Sequence, residues 1–270
     1  MIGVFDSGAG GLCALRTLLA AYPGEEIVYF GDTARLPYGT RSAQTIVRYA
    51  KEDLAFLLSF HPRAILAACG TVSAIALPTL QTQTQVPLFG VAKSAAQAAA
   101  NASKNGKIGV IGTQATIRSN RYTEYLRKIN PHLTVYAAAC PLFVPLVESG
   151  FPAKDPITAA VCAHYLAPLK AAGIDTLILG CTHYPLLSDA IAPQLPGVTL
   201  IDVGTEAVRS MRAVLPPLAE QTPPDVSLCA EQRVRFYVSD HPTAFSALAE
   251  SFFGWHITAT LHSVYSAVGA

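Results

Sequence analysis

Charge is scarce in this chain of 270 residues. Charged side chains make up 14% of the sequence, hydrophobic residues make up 51%, and the net charge is +1. A composition this apolar excludes an intrinsically disordered polyelectrolyte. The low net charge, without a cluster of Lys and Arg, also argues against a protein that binds nucleic acid. We therefore expect a site for a small molecule.

Long apolar runs are missing as well. No uninterrupted apolar stretch reaches the ~18 residues typical of a membrane-spanning helix, so we expect no membrane partner. The charged side chain of Asp6 follows the first five residues, which leaves no apolar core for a signal peptide. These two absences predict a cytoplasmic protein.

The chain has six cysteines, and no two of them form a CxxC pair. Without that spacing a structural zinc site is not expected, and we predict no bound metal. In a reducing cytosol the cysteines should be free thiols. Their importance would then lie in reactivity or packing and not in cross-linking.

Apolar segments of strand length alternate with amphipathic helical segments along the first part of the chain. Residues 2–6, 26–31 and 64–69 have the pattern of buried strands, and residues 42–59 have that of a helix. Alternation of this kind predicts an α/β fold, with a mostly parallel sheet flanked by helices.

The pattern then repeats, which predicts two related lobes. Three local similarities recur in the same order at nearly equal spacing: MIGVFDSGAG at 1–10 with KIGVIGTQAT at 107–116, the strings that open at Val28 and Val135, and the settings of Cys69 and Cys181. We expect two pseudo-symmetric lobes with the active site in the cleft between them.

The boundaries of the lobes follow from the repeat and from turn-rich segments. Residues 1–98 and 205–270 are predicted to form the first lobe, and residues 99–204 the second. A proline-rich connector at 215–225 precedes a strand, a helix and a short final strand. A separate third domain of this size would be marginally stable, so the tail should return to the first lobe.

Two cysteines, Cys69 in AILAACGTVSA and Cys181 in TLILGCTHYPL, each follow an apolar strand. The carboxyl ends of parallel strands are where open α/β sheets hold their ligands. Two thiols, one from each lobe, could take a proton from one face of a carbon atom and return one to the other. The alternative interpretation is that both are inert core cysteines.

The residues around each thiol suit the binding of a carboxylate and the movement of a proton. Gly70, Thr71 and Thr182 offer amides or hydroxyls at strand-to-helix turns, although helix capping would use the same residue types. His183 could share a proton with Cys181 or with the substrate. A purely structural histidine is the alternative.

Asp6 and Ser7 end the first predicted strand and enter the glycine-rich turn DSGAGG. Asp6 could act as a base partner or hold a substrate ammonium group. The string is not GxGxxG, and a carboxylate there would repel phosphate, which argues against a nucleotide site. A turn that merely requires small residues remains the alternative.

Three further residues are weaker candidates. Tyr38 and Gly39 lie in the turn LPYG, where a side chain or an amide could reach a ligand, or where the loop is simply tight. Glu148 lies in the apolar string PLFVPLVESG and could orient His183. It could also be a surface glutamate at a helix end.

Taken together, six strings resemble the cofactor-independent glutamate racemases of the aspartate/glutamate racemase superfamily. They span residues 2–187 and are IGVFDSGAGGL, VYFGDTARLPYG, ACGTVSA, IGVIGTQATIRS, CPLFVPLVESG and LGCTHYPLL. The resemblance implies interconversion of L- and D-glutamate without a cofactor. It also implies supply of D-glutamate for peptidoglycan, hence a part in cell shape, and a homodimeric state.

The resemblance assigns roles residue by residue. Cys69 would handle the proton of the D-isomer and Cys181 that of the L-isomer. The auxiliary acid–base residues implied are Asp6, Glu148 and His183. The substrate-binding residues implied are Asp6, Ser7, Tyr38, Gly39, Gly70, Thr71, Thr182 and His183.

One position departs from the family pattern. Gly70 stands where the usual string has Asn, so an amide that could bind the substrate is missing. Losing such a contact costs about 1–3 kcal/mol unless water or backbone replaces it. Racemisation of aspartate or another acidic amino acid is therefore an alternative. A two-lobed binding protein without turnover is the alternative from another class.

Overall fold

Two parallel β-sheets flanked by helices make up the computed structural model, which describes residues 1–218 and 230–263. The predicted α/β class with two parallel-sheet lobes is thus confirmed. The strands in the described residues are β1 (Ile2–Asp6), β2 (Ile27–Gly31), β3 (Ala64–Ala67), β4 (Leu88–Gly90), β5 (Lys107–Gly112), β6 (Thr134–Ala139), β7 (Thr176–Leu179), β8 (Thr199–Asp202), β9 (Val234–Val238) and β10 (Ala259–Leu261).

The helices follow the strands in near alternation. They are α1 (Leu12–Ala21), α2 (Ala43–Leu58), α3 (Gly70–Ile75), α4 (Leu77–Gln81), α5 (Val91–Ala102), α6 (Gln114–Arg118), α7 (Arg121–Ile129), α8 (Phe143–Glu148), α9 (Pro156–Ala172), α10 (Ser188–Ile191), α11 (Val203–Val214), α12 (Ala230–Arg233) and α13 (Pro242–Phe253). None of the helices within 1–218 and 230–263 is long and apolar enough to span a membrane.

The two sheets share one strand order. The first sheet runs β10-β9-β2-β1-β3-β4 and the second runs β6-β5-β7-β8. The order β2-β1-β3-β4 therefore matches β6-β5-β7-β8. The sequence similarities fall on matching places, namely β1 and β5, β2 and β6, and the ends of β3 and β7. The internal repeat thus has a structural counterpart.

Local predictions differ from the structure mostly at element ends. The strand predicted over 64–69 stops at Ala67, because Cys69 is already the N-cap of α3. The helix predicted over 42–59 is α2, with Ser42 as its N-cap accepting from the amide of Thr45. Strand ends are hard to place from composition, because a cap and a strand end accept the same small residues.

The tail of the chain adds to the first sheet, since β9 pairs with β2 and β10 pairs with β9. Most of the predicted connector, residues 219–225, lies outside the described residues. The predicted lobe boundaries fall inside α5 and at the start of α11, and these two helices pack against each other. The division into 1–98 with 205–270 and 99–204 stays a prediction.

A buried network of charges fixes the loop that follows β2. Arg35 donates to Asp32 at 2.6 Å and to Asp53 at 2.8 Å, and both carboxylates are fully buried. The hydroxyl of Tyr38 donates to Asp53 at 3.0 Å and also contacts Asp32. Burial, with the nearby Asp32 adding to it, raises the pKa of Asp53, and the Arg35 guanidinium opposes that rise. Arg35 is thus the cation that allows two acids to be buried together.

Replacing Arg35 with Met should destabilise the fold by about 3–5 kcal/mol, because it leaves two buried carboxylates without their cation. Urea denaturation of wild type and Arg35→Met measures the change. Arg209→Met is the matched control, since Arg209 pairs with Glu206 at an exposed site and should cost less than about 1 kcal/mol. Equal effects of the two substitutions would contradict a structural role for the network.

Candidate active site

A cavity of about 230 Å³ lies where the carboxyl ends of strands from both sheets meet. Residues of the first sheet's loops and of the second sheet's loops both line it, as the strand order predicts for parallel sheets. Ten of the eleven sequence-predicted site residues line this cavity: Ser7, Tyr38, Gly39, Cys69, Gly70, Thr71, Glu148, Cys181, Thr182 and His183. The eleventh, Asp6, lies behind the wall.

Cys69 lies at the end of β3 and is only 5% exposed. Its Sγ donates to the hydroxyl of Ser7 at 3.4 Å. Burial, with the nearby Asp6 adding to it and Ser7 opposing it, raises the pKa of the Cys69 thiol to about 12. At neutral pH Cys69 is therefore protonated, which is the form that can donate a proton.

Cys181 follows β7 in the second lobe and has a different neighbour. Its Sγ lies 3.8 Å from Nδ1 of His183. On the other side of the ring, Nε2 of His183 lies 3.2 Å from Oε1 of Glu148, at an angle that makes no hydrogen bond. A cation at the Nδ1 distance stabilises negative charge on sulfur.

The charge of His183 follows from its surroundings. Burial lowers its pKa, but the contacts with Cys181 and Glu148, together with the charge of Asp6, outweigh burial and raise the pKa to about 10. His183 is therefore an imidazolium at neutral pH. The two thiols thus lie in opposite electrostatic settings, with a cation beside Cys181 and a carboxylate near Cys69.

Asp6 is fully buried at the end of β1 and reaches the cavity through Thr182. It accepts from the amide of Gly8 at 2.9 Å and from the hydroxyl of Thr182 at 3.3 Å. Burial raises the pKa of Asp6, while His183 and the donated hydrogen bonds oppose the rise. In this arrangement Asp6 acts on the site through Thr182 and its charge, since its side chain is not part of the cavity wall.

The hydroxyl of Tyr38 points away from the cavity. The hydroxyl donates to Asp32 and Asp53. Tyr38 therefore lines the cavity with its backbone and its ring. Gly39 packs against the second lobe, where a Cβ would lie 2.6 Å from Cβ of Thr113. The loop after β2 is therefore a contact between the lobes.

Thr113 of the second lobe lines the cavity, with the buried Thr116 behind it, and the sequence analysis missed both. Oγ1 of Thr71 lies 3.0 Å from Oγ1 of Thr113 and 3.4 Å from that of Thr116. The hydroxyls of Thr113 and Thr116 are themselves 3.0 Å apart. The internal repeat carried the signal, since Thr113 stands in the second repeat where Ser7 stands in the first.

No grouping of three or more His, Cys, Asp or Glu side chains in the described part of the chain is arranged to hold a metal ion. Three cysteines, Cys69, Cys140 and Cys181, line the cavity, together with a cationic histidine and several residues that carry hydroxyls. Such groups can move protons and bind carboxylates.

Comparison with known proteins decides the family. The family described as Asp/Glu/hydantoin racemase matches residues 12–211. The chain belongs to this racemase family. A glutamate racemase of Chlorobaculum tepidum is 46% identical over 258 residues, which cover 94% of this chain and 92% of that protein.

Solved structures of this racemase family agree with the fold. A crystal structure of a glutamate racemase isoform from Bacillus anthracis superposes with a TM-score of 0.90 at 36% identity, covering 97% of each chain. One from Francisella tularensis in complex with D-glutamate gives 0.87 at 36% identity, again covering 97% of each chain. The racemase fold and the racemase class of enzyme are thus shown for this chain.

Gly70 gives this racemase a close contact between its lobes. A Cβ at this position would lie 2.3 Å from the carbonyl oxygen of Gly180 and 3.4 Å from Cα of Cys181. Real Cβ atoms do not approach backbone oxygens that closely. A side chain at this position, such as the Asn of the family pattern, would therefore require the two turns to lie farther apart than they do in this structure.

Gly70→Ala should lower the rate of racemisation about 10-fold to 100-fold, because the added Cβ forces the two thiol-bearing turns apart. The measurement is the initial rate, followed by circular dichroism. Gly24→Ala is the matched control, since a Cβ at Gly24 meets nothing within 4 Å. If Gly70→Ala kept the rate of wild type, the close contact would not matter for turnover.

His183 should also make the free energy of unfolding depend on pH. Its pKa is raised from 6.5 to about 10 on folding. Its contribution to the free energy of unfolding is therefore complete below pH 6.5 and is lost as the pH rises towards about 10, since the unfolded chain releases its proton first.

The measurement is urea denaturation of wild type and His183→Gln at a series of pH values. The stability difference should shrink between pH 6.5 and about 10. The exposed His132→Gln tests for effects of removing any histidine. A difference for His183→Gln that stays constant over this range would contradict the raised pKa.

Proposed function

We propose that this racemase interconverts L- and D-glutamate through two thiols without a cofactor. The observation that carries the proposal is that Cys69 and Cys181, from different sheets, line one small cavity. Relatives that are 40–51% identical to this chain are named glutamate racemases. A related structure from Francisella tularensis holds D-glutamate.

The starting state follows from the electrostatic difference between the two thiols. In the proposed starting state Cys181, whose Sγ lies 3.8 Å from Nδ1 of His183, is the base, and Cys69, which burial and Asp6 keep protonated, is the acid. This state suits L-glutamate. The Cys181 thiolate takes the α-proton, the electron pair of the C–H bond remains on the α-carbon, and the Cys69 thiol donates its proton to the opposite face.

After that step D-glutamate leaves, with Cys181 as thiol and Cys69 as thiolate. Reaction from D-glutamate uses the same two atoms in reverse. The thiolate form of Cys69 is the costly one in the empty cavity, since its pKa is about 12. The substrate ammonium group would offset this cost when it lies near Asp6 and Cys69.

The carbanion places negative charge on the α-carboxylate, where preorganised donors can stabilise it. Thr71 and Thr113 line the cavity, and their hydroxyls can donate to carboxylate oxygens. Asp6 and Glu148 act as positioning residues in this proposal: Asp6 holds Thr182, and Glu148 contacts His183.

Deuterium exchange tests which thiol removes the α-proton of which glutamate isomer. In D₂O, Cys69→Ala should still wash deuterium into the α-position of L-glutamate while racemisation falls about 10²–10⁴-fold, because only one face retains a base. Cys181→Ala should do the same with D-glutamate. Nuclear magnetic resonance follows the exchange, and chiral chromatography follows the inversion.

Cys162→Ala is the matched control, since Cys162 is a buried cysteine of the second lobe that does not line the cavity. It should racemise within a few-fold of wild type. Near-normal racemisation by Cys69→Ala or Cys181→Ala would exclude the two-thiol scheme. Wild-type protein that binds glutamate but incorporates no deuterium would instead be a binding protein.

Substrate choice depends on the cavity around Gly70, where the family's usual amide is missing. L-Glutamate and L-aspartate are therefore to be compared by chiral chromatography with pure protein and no added cofactor. We expect faster inversion of glutamate. Faster inversion of aspartate would move the assignment to the second substrate while keeping the reaction type.

The proposal extends to the cell. D-Glutamate made by this racemase would supply peptidoglycan synthesis in the cytoplasm and so support cell-wall biogenesis and cell shape. We also propose that the chain works as a homodimer, as the family resemblance implies. Light scattering coupled to size-exclusion chromatography measures that state directly.

A further inference from the structure

The turn DSGAGG between β1 and α1 contains three glycines, Gly8, Gly10 and Gly11, which face different neighbours. A Cβ at Gly8 would lie 3.0 Å from Cδ2 of Leu36. A Cβ at Gly11 would lie 2.7 Å from Cβ of Asp6. Leu36 follows β2 and Asp6 ends β1, so both neighbours belong to the first sheet and its loops. Gly8 and Gly11 therefore serve the packing of the first lobe on itself.

Gly10 faces the second lobe instead. A Cβ at this position would lie 2.4 Å from Oγ1 of Thr182 and 2.5 Å from Nδ1 of His183. Real Cβ atoms do not approach other atoms that closely. Thr182 and His183 follow β7 of the second sheet, whereas Gly10 follows β1 of the first. Side chains of the second lobe thus fill the space that a side chain at position 10 would need.

The backbone of the turn does not itself require glycine at position 10. Gly10 is not among the residues with positive φ, the region in which glycine is favoured over other residues. Its carbonyl oxygen accepts from the amide of Cys13 at 3.2 Å, a bond that any residue can make. The contacts with Thr182 and His183 are therefore what exclude a side chain here.

Both groups that occupy this space have a part in the site. Nδ1 of His183, the ring atom nearest to the space, is also the atom that lies 3.8 Å from Sγ of Cys181. The hydroxyl of Thr182 donates to Asp6 at 3.3 Å. A side chain at position 10 would therefore displace the ring from Cys181, the hydroxyl from Asp6, or both.

We infer that Gly10 is a positioning residue for the reaction: its missing side chain leaves the place in which the His183 ring lies against Cys181. The inference rests on the proposed function, in which Cys181 is the base for L-glutamate. Because Gly10 and His183 belong to different lobes, a side chain at position 10 would interfere only when the lobes are together. That is the arrangement that forms the cavity.

The titration of His183 tests the inference without any substrate. Burial lowers the pKa of His183, but the contacts with Cys181 and Glu148, together with the charge of Asp6, raise it to about 10. Nuclear magnetic resonance of isotope-labelled histidine follows the signal that His183→Gln removes. Gly10→Ala should lower the midpoint of this signal by about one pH unit or more, since the ring moves away from Cys181.

Gly24→Ala is the matched control for the titration, since a Cβ at Gly24 meets nothing within 4 Å. It should leave the midpoint of His183 as it is in wild type. A midpoint that Gly10→Ala also leaves unchanged would overturn the inference.

A second comparison removes the side chains that fill the space. Gly10→Ala should lower the urea midpoint of wild type, but not that of Thr182→Ala combined with His183→Ala, because the added Cβ then meets neither side chain. This comparison holds even if Gly10→Ala alone does not fold. An equal loss in both backgrounds, or failure to fold in both, would place the need for glycine in the turn itself and overturn the inference.

The rate of glutamate racemisation tests the part that depends on the proposed function. Gly10→Ala should lower the rate about tenfold or more, because a small misplacement of a group near the reacting atoms is costly. Gly24→Ala should keep the rate of wild type. A lowered His183 midpoint with an unchanged rate would overturn the role of Gly10 in the reaction. Wild-type protein that does not racemise glutamate would instead contradict the proposed function, which the titration and the denaturation do not require.

Discussion

The approach of Gly70 to the carbonyl group of Gly180 is the contact on which the site depends. It joins the turn after β3 to the turn after β7, and these strands belong to different sheets. A side chain at position 70 would not fit between the two turns in this arrangement. Cys69 directly precedes Gly70, and Cys181 directly follows Gly180. The contact between the two glycines therefore brings the two cysteines close together.

The two thiols also lie in opposite electrostatic settings. Cys69 lies in a buried setting near a carboxylate, which raises its pKa to about 12. Cys181 lies beside a histidine whose own pKa is raised to about 10. In the proposed two-thiol mechanism, one base and one acid flank the same carbon atom, and Asp6 and His183 supply the difference between them.

Much of the fold could be predicted from the sequence because the signals are local and repeated. Apolar periodicity located β1, β2 and α2, and the internal repeat predicted two sheets of related order. The ends of helices and strands were harder to predict. The last residues of the predicted strand β3, for example, belong to a turn and to an N-cap. Thr113 was missed because it is the N-cap of α6, and a capping threonine has the same sequence pattern as one that lines a site.

The sequence by itself determined the residue types of the site and the strands that carry them, since the motifs around Cys69 and Cys181 are contiguous. Tertiary structure alone decided which groups face the cavity. The Tyr38 hydroxyl is taken by Asp32 and Asp53, and Asp6 lies behind Thr182. Only the packing of one lobe on the other brings Cys69 and Cys181 into one cavity, because they come from segments that are distant along the chain. Burial and distance between such segments set pKa values and contacts, and neither can be read from local sequence.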